Sequence, residues 1–517
     1  MTTSYPPELA YKPRKSPSKF HPFACQPAIP IPKAMPSTSC SPSLSFYLIS
    51  SLLLVIVSLS TSQPLLLPLT HTLSNTRLTK TQHLLKSIST RHNQHRHRSS
   101  VSLPLSPGSD YTLSISLASS PSQPITLYMD TGSDLVWFPC HPFDCILCEN
   151  KPAAPTHPPK ITSAPFVPCN SAACSAAHSS LSSSHLCAVA GCPLETIETA
   201  DCSAFRCPSL YYAYGDGSLI ARLRRDRLSI PTSNSSAFPF LHLSNFTFGC
   251  AHTALGEPIG VAGFGRGALS LPAQLSAVSP DLGSRFSYCL ISHSLDATRL
   301  RHPSPLILGR SSSPSEEESD DGEFTYTPML DNPKHPYLYS VGLAAITVGK
   351  TRIPATPDLK EIDVEGNGGM VIDSGTTFTM LPTRIYEKVL KEFELGVGGN
   401  YERATEVEEE MGMGLCYYYR AEENVKVPKI VLHFAGNASV VLPSKNYFLA
   451  FDKEGEKRKV GCLMMMNGGD LSDGGWPAAT LGNFQQQGFE VVYDLEKRCV
   501  GFAKRRCAAL WERLTRG

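Results

Sequence analysis

The sequence predicts an all-β protein of two related lobes, and three observations carry that prediction. From about Val101 onward, short β-branched or aromatic runs recur between clusters of Gly, Pro, Asn and Ser. One short acidic motif occurs twice, about 240 residues apart, each time followed by a Gly-containing apolar element. The chain has 517 residues, more than one compact core usually holds.

The strand candidates are Ile125–Met129, Val136–Phe138, Leu210–Tyr214, Phe246–Phe248, Tyr339–Val348, Met370–Ile372, Ile430–Phe434 and Glu490–Tyr493. Helical spacing is rare and is clearest over Ile385–Phe393. Lys151–Pro165, the acidic Ser311–Asp321 and Asp452–Lys459 read as surface loops.

Charge separates the N-terminus from the body. Residues 1–100 hold 11 of the 46 Lys and Arg but one of the 45 acids, so the remainder carries a net −9. An acidic body speaks against nucleic acid as the main partner. Phe46–Ser60 is an apolar run with Lys33 upstream and small residues after it, the pattern of a signal peptide; an uncleaved anchor is the other reading. Residues 64–100 hold six Lys or Arg, five His and no acid. We read them as a pro-segment held on the acidic body at neutral pH and released when carboxylates protonate, with a solvated tail or a metal tract at His92, His95 and His97 as alternatives.

The expected organisation is therefore a leader or gene-model extension at 1–34, a signal peptide at 35–62 and a basic pro-segment at 63–102. An N-terminal β lobe follows at 103–310, with a Cys-rich insertion at 140–207, then an acidic loop at 311–323 and a C-terminal β lobe at 324–517.

Seventeen cysteines, fifteen of them from Cys140 onward and nine between Cys140 and Cys207, indicate an oxidising compartment. Fifteen is odd, so at least one cysteine of the body should be unpaired or pair between chains. Cys145 and Cys148 have zinc-ligand spacing, but no His pair follows at finger spacing, so neither metal nor cofactor is expected. Asn234, Asn245 and Asn437 each open a glycosylation sequon.

The repeated motif carries the chemistry. Thr126–Ser133 (TLYMDTGS) recurs as Gly369–Thr376 (GMVIDSGT), and Val261-Ala-Gly-Phe-Gly265 is echoed by Ala479-Thr-Leu-Gly482. Each copy places an Asp at the end of an apolar strand, where burial is costly without hydrogen bonds. Gly132 and Gly375 allow a tight turn. The hydroxyls of Ser133 and Thr376 can donate to the carboxylates. A pseudo-two-fold axis would bring Asp130 and Asp373 together, so that they share one proton and activate a water.

On these residues the chain resembles the pepsin-like aspartic proteases over most of 105–507, and within them the nepenthesin-like, atypical plant group. The matching stretches are Asp130–Trp137 (DTGSDLVW), Tyr214–Ser218 (YGDGS), Phe248–Cys250, Gly263–Gly267 with Leu269–Pro272, Phe286–Cys289, Asp373–Thr377 (DSGTT) and Leu481–Phe484. The resemblance implies a double β-barrel with a cleft between the lobes, and Asp130 and Asp373 as the catalytic pair supported by Thr131, Gly132, Ser133, Ser374, Gly375 and Thr376. It implies a hairpin flap at Tyr214, Gly215, Asp216 and Gly217, with Trp137 bonded to Tyr214. It also implies the pairings Cys148–Cys250, Cys289–Cys507 and Cys416–Cys462. The function that follows is an aspartic endopeptidase made as a secreted, monomeric proenzyme. It would act on polypeptide substrates at acidic pH, in the cell wall or apoplast, or else in vacuole or plastid, without a stable membrane span. The alternative is a catalytically weak or inactive binding or inhibitor protein on the same fold. Other chemistries lack their motifs: there is no G-x-S-x-G elbow and no H-E-x-x-H. The basic run Arg222–Arg227 departs from the group and reads either as a selector of acidic substrate residues or as a solvated strand face.

Overall fold

The computed structural model describes residues 64–72 and 111–516, apart from 149–157, 162, 214–216, 234–239, 257–258, 293–300, 311–322, 421–422, 424, 453–457 and 471–475. The expected leader, signal peptide and most of the basic segment lie outside these residues.

The first lobe is built from β1 (Leu65–His71), β2 (Tyr111–Leu117), β3 (Ser120–Asp130), β4 (Trp137–Ile146), β5 (Leu210–Ala213), β6 (Ser218–Pro231), β7 (Phe240–Leu255), β8 (Gly260–Gly263), β9 (Arg285–Cys289) and β10 (Ser304–Leu308). The second contains β11 (Thr325–Leu330), β12 (Ser340–Val341), β13 (Leu343–Val348), β14 (Thr351–Pro354), β15 (Met370–Ile372), β16 (Thr379–Leu381), β17 (Glu402–Arg403), β18 (Cys416–Tyr419), β19 (Ile430–Phe434) and β20 (Ala438–Val441). It is completed by β21 (Phe448–Asp452), β22 (Lys459–Leu463), β23 (Met465–Asn467), β24 (Ala479–Leu481), β25 (Phe489–Asp494) and β26 (Cys499–Lys504).

The strand expectations fall on these elements, with Val136 and Tyr339 each one residue ahead of its strand. Leu210–Tyr214 is described as far as Ala213, and Tyr339–Val348 is divided between β12 and β13. The expected helix runs from Thr383 to Val397 and buries Ile385, Tyr386, Val389, Phe393 and Val397, the i, i+4 stripe that made it legible. Asp452 and Lys459 pair across β21 and β22; most of the expected loop between them, all of Ser311–Asp321 and much of Lys151–Pro165 lie outside the described residues.

The duplication is structural. In the first lobe β3 runs parallel to β8, with Asp130 opposite Gly263, and β4 crosses β8 at Trp137 and Val261. In the second lobe β15 runs parallel to β24, with Ile372 opposite Leu481, and β16 crosses β24 at Met380 and Thr480. Each Asp is thus carried off the end of a short, fully buried parallel pair, the setting in which near-continuous apolar runs are required.

One antiparallel sheet joins the lobes in the order β1, β10, β9, β25, β26, β11. Its centre is apolar and aromatic: Phe286 stacks on Tyr493 at 4.8 Å, and Tyr339 meets Tyr493 at 4.3 Å. Within it Glu490 is fully buried, and it is compensated by Arg310 at 2.7 Å, Arg505 at 3.3 Å and the Ser287 hydroxyl at 2.8 Å. A buried carboxylate is tolerated only with such partners. β1 lies inside the segment expected as a pro-segment, yet its Leu66, Leu67 and Leu69 are buried, and it pairs with both β10 and β2.

Seven disulfides are present among the described residues. Cys289–Cys507 and Cys416–Cys462 match expectation. The Cys148–Cys250 pairing does not: Cys250 bonds to Cys140, and Cys148 to Cys145. The β4–β7 register explains the correction. Phe138 lies opposite Cys250, which leaves Cys140 within reach, whereas Cys148 falls beyond Ile146, whose partner is Leu255. The remaining insertion cysteines pair as Cys169–Cys187, Cys174–Cys207 and Cys192–Cys202. Cys499, buried on β26, is in none of them and accounts for the odd count.

Candidate active site

The two Asp turns meet where the lobes meet. They are locked by a reciprocal hydroxyl cross. Thr131 Oγ1 donates to the Ile372 carbonyl at 3.0 Å and accepts the Ser374 N–H at 2.9 Å. Ser374 Oγ donates to the Met129 carbonyl at 3.1 Å and accepts the Thr131 N–H at 3.1 Å. Four bonds between two equivalent residues satisfy backbone groups that the abrupt strand ends would otherwise strand in the interior.

The glycines set how closely the turns approach. A Cβ on Gly132 would sit 2.7 Å from the Asp373 carboxyl carbon, and one on Gly375 would sit 2.1 Å from Asp130 Oδ1. Each glycine therefore lies against the other lobe's carboxylate, and no larger residue fits. Each Asp also accepts a backbone N–H from the glycine of its own turn: Gly132 to Asp130 Oδ1 at 2.8 Å and Gly375 to Asp373 Oδ1 at 2.7 Å. Thr376 Oγ1 donates to Asp373 Oδ2 at 2.6 Å. Its counterpart Ser133 lies close enough to Asp130 to favour the charged form, but its Oγ completes no well-formed hydrogen bond among the described residues.

Asp130 and Asp373 are both buried. Burial, and then the neighbouring Asp373 charge, push the Asp130 carboxyl well above the usual carboxylate range; Ser133 and the Gly132 N–H oppose the rise without cancelling it. Such a pair holds one proton between two oxygens over a range where isolated carboxylates have lost theirs, and its titration belongs to the pair. One member can accept a proton from water while the other donates to a carbonyl oxygen.

A polar layer supports the second turn from behind. Gln486 Nε2 donates to the Asp373 and Leu481 carbonyls at 3.2 and 2.8 Å, and Asn483 Nδ2 to the Ser374 carbonyl at 3.1 Å. Gln486 also takes the Tyr288 hydroxyl, which lies 2.8 Å from the Tyr493 hydroxyl. Sequence reading passed over Gln486, although Gln485, Gln486 and Gln487 follow directly on the recognised Leu481–Phe484 stretch and are all buried; Asn483 and Tyr288 lie inside matched stretches, without a role assigned to them there.

Three further groups near the pair were also missed. Burial pushes Asp134, in the first turn, up to about 6, against the opposing N–H groups of Leu269, Gly267 and Ser270. Tyr212 on β5 and Tyr337 before β12 have hydroxyls pushed up by burial; Tyr337 and then the Asp134 and Asp130 charges add to the rise at Tyr212, and Asp134 and Asp130 at Tyr337. Both tyrosines are thus within electrostatic reach of the Asp130 charge. Of the expected flap, Tyr214, Gly215 and Asp216 lie outside the described residues, and Gly217 is half-buried at the head of β6. Trp137 is buried among Tyr128, Leu135, Leu210 and Val261. Asn245 and Asn437 are exposed, and Asn234 is outside the described residues.

Among the described residues, two groups approach metal-ligand spacing: Cys169, Cys187 and Cys202, and Cys174, His178 and Cys207. Their cysteines are all engaged in disulfides.

Profiles of the families described as Xylanase inhibitor N-terminal and Xylanase inhibitor C-terminal match residues 111–310 and 338–504. A probable aspartyl protease of Arabidopsis thaliana is 54% identical over 88% of this chain and 95% of its own length. The aspartic proteinase nepenthesin-1 of Nepenthes gracilis is 30% identical over 77% of this chain and 78% of its own. The chain belongs to the pepsin-like aspartic protease family, in its nepenthesin-like plant group. In fold, this family member is similar to conglutin gamma, a basic 7S globulin from lupine seeds (TM-score 0.57, 19% identity, 87% of this chain and 96% of that one). It is likewise similar to basic 7S globulin from soybean (TM-score 0.54, 20% identity, 86% and 97%).

Proposed function

We propose that this protein is an aspartic endopeptidase in which Asp130 and Asp373 are the catalytic pair. The observation that carries the reading is the closure of the two turns on each other, with each glycine against the opposite carboxylate and the Asp130 carboxyl pushed well above the usual carboxylate range by burial and by Asp373. A water between the carboxylates gives a proton to the ionised member and attacks the scissile carbonyl carbon. The protonated member gives its proton to the carbonyl oxygen, forming a neutral gem-diol. Collapse of the diol breaks the C–N bond; the leaving nitrogen takes a proton, and the pair is again singly protonated. An extended polypeptide of about seven or eight residues would lie across the pair, with a flap closing over it, as the family implies.

The setting is part of the same proposal. The chain is exported by segment 35–62, glycosylated at Asn234, Asn245 and Asn437, and monomeric. It is delivered to the cell wall or apoplast, with vacuole or plastid as alternatives. No helix among the described residues is long and apolar enough to cross a membrane. Segment 63–102 acts as a pro-segment whose removal withdraws β1 from the interlobe sheet. N-terminal sequencing of the active form should then start near Ser102 or Leu103; a start at or before His71, which keeps part or all of β1, would overturn this part.

The deciding experiment is cleavage of a denatured protein across about pH 2.5–7.5, with and without pepstatin, beside the Asp373→Asn variant. Acidic, pepstatin-sensitive cleavage lost in the variant is expected. A second reading, a binding or inhibitor protein, is favoured by the family profiles named for xylanase inhibitors and by the globulin fold neighbours. A folded protein freed of segment 63–102 that cleaves nothing would select it.

A further inference from the structure

An open pocket of about 640 Å³ lies on the first lobe, lined by His141, Pro142, Phe143, Asp144, Ser209, Ile220, Arg222, Arg224 and His252. It is built by irregular pairing on both sides of β7. On one side Ile220 faces Thr253 while Ala221 already faces Ala251. On the other, Pro139 faces Ala251 and the next pair is Asp144 with Thr253. His252 is thus the unpaired position of both ladders, and the β4 residues 140–143 bow away from it. The splayed strands leave a hollow rather than a continuous sheet.

Strand alternation fills that hollow with positive charge. Ile220, Arg222 and Arg224 fall on one face of β6. The Cys-rich insertion clamps the far end: Arg225 N–H donates to the Pro165 carbonyl at 3.0 Å, and Val167 N–H to the Leu223 carbonyl at 3.2 Å. There the Arg224 and Arg206 guanidiniums both lie over the Phe166 ring, at 4.0 and 3.9 Å, and Arg224 Nη1 donates to the Ala164 carbonyl at 2.7 Å. Arg222 Nε reaches Ser209 Oγ at 3.4 Å.

The charge is uncompensated. Among the described residues, no carboxylate lies within ion-pairing distance of Arg206, Arg222 or Arg224; the acidic side chain of the lining, Asp144, pairs with none of them. Arg224 Nε and His252 Nε2 are buried without a hydrogen-bond partner among the described residues. Burial, then the Arg222 and Arg224 charges, hold His252 below its ordinary range. Convergent cations with unsatisfied donors, beside the apolar Pro142, Phe143 and Ile220, ask for a ligand that brings anionic oxygens on an apolar stem. Glu and Asp side chains of a polypeptide do so. Arg222 is four residues, about 13 Å, along β6 from Ser218, the first residue of that strand.

We propose that this pocket is an exosite for an acidic stretch of polypeptide, separate from the Asp130–Asp373 cleft, with Arg222, Arg224 and His252 as its recognition groups. The proposal rests on the protease reading only in its choice of a polypeptide ligand.

The test is binding, on the full-length Asp373→Asn protein, of a fluorescent peptide of alternating Glu and Gly, by anisotropy. The same peptide with Gln in place of Glu is the control. The Glu peptide should bind at least roughly tenfold more tightly than the Gln peptide, and weaken as salt rises from about 0.05 to 0.5 M. Arg222→Gln, at an exposed position, should lower the affinity by roughly tenfold. His252→Gln should lower it as well, and Arg352→Gln on exposed β14 should not. Equal binding of the two peptides, no binding at millimolar peptide, or an unchanged Arg222→Gln protein would overturn the proposal. So would a sulfated polysaccharide that displaces the peptide at matched charge, which marks a general polyanion site. Binding that appears only after residues 313–321 are replaced by Gly and Ser would give the pocket to the chain's own acidic loop, and would also overturn it. Because the readout needs no catalysis, an inactive enzyme defeats the protease reading alone, and absent binding defeats the exosite alone.

Discussion

Asp134→Asn isolates the strain that the first turn carries. Asp134 lies four residues after Asp130 and accepts the Leu269 N–H at 3.3 Å, while its Oδ1 has no hydrogen-bond partner among the described residues. Burial pushes its carboxyl up from 3.8 to about 6. The folded state therefore keeps this proton longer than the unfolded chain does. Stability is whole below pH 3.8 and is lost as pH rises through 6, because the folded protein must then hold a buried charge that the unfolded chain solvates. Roughly two pKa units at about 1.4 kcal/mol each make the loss about 3 kcal/mol. Asn has the same shape, retains an acceptor oxygen and never ionises. The difference in unfolding free energy, wild type minus variant, should be small near pH 3.5 and reach about −3 kcal/mol by pH 7.5. Urea unfolding at half-unit pH steps with disulfides intact measures it, and taking differences cancels every other titrating group. A difference that stays flat within about 0.5 kcal/mol, or that slopes upward, would refute the placement of Asp134 as a buried, under-satisfied carboxylate.

The remaining predictions concern the lobe contact and the cross-links. Gly375→Ala places a methyl against Asp130, so the turns must part; kcat on a protein substrate should fall roughly 100-fold or more while circular dichroism stays native. Thr131→Val keeps the shape but strands the Ser374 N–H and leaves the Ile372 carbonyl to the long 3.5 Å bond from the Tyr493 hydroxyl, and should cost about 1–3 kcal/mol in urea unfolding. Removing Cys140–Cys250, which spans 110 residues, should cost about 4–5 kcal/mol, against about 2 for Cys145–Cys148, which spans 3. Mass spectrometry of a non-reduced digest should recover Cys140 linked to Cys250, and a Cys148–Cys250 peptide would restore the pairing that the resemblance implied.

The division between what sequence and structure disclose follows the range of the interactions. The Asp130 and Asp373 turns were legible because strand, carboxylate, glycine and hydroxyl lie within four residues and occur twice; a local rule repeated at a distance implies symmetry. The Thr383–Val397 helix was legible for the same reason, since its buried stripe is periodic along the chain. The Cys140–Cys250 bond was not, because it depends on the register of β4 against β7, and that register is decided by which residues bow out around His252. The basic run Arg222–Arg227 could be read as a solvated face until the insertion and β4 were folded against it. Gln486 carries no local motif, and the Phe286–Cys289 motif does not disclose what Tyr288 does; both matter because the interlobe sheet brings β9 against β25 behind Asp373. By itself the sequence determined the fold family, the duplicated aspartate turns and the need for disulfides, all consequences of short-range pattern and composition. Only the tertiary structure decided which cysteines pair, how β1 is held, and where positive charge gathers without a partner, because each is set by contacts between residues far apart in the chain.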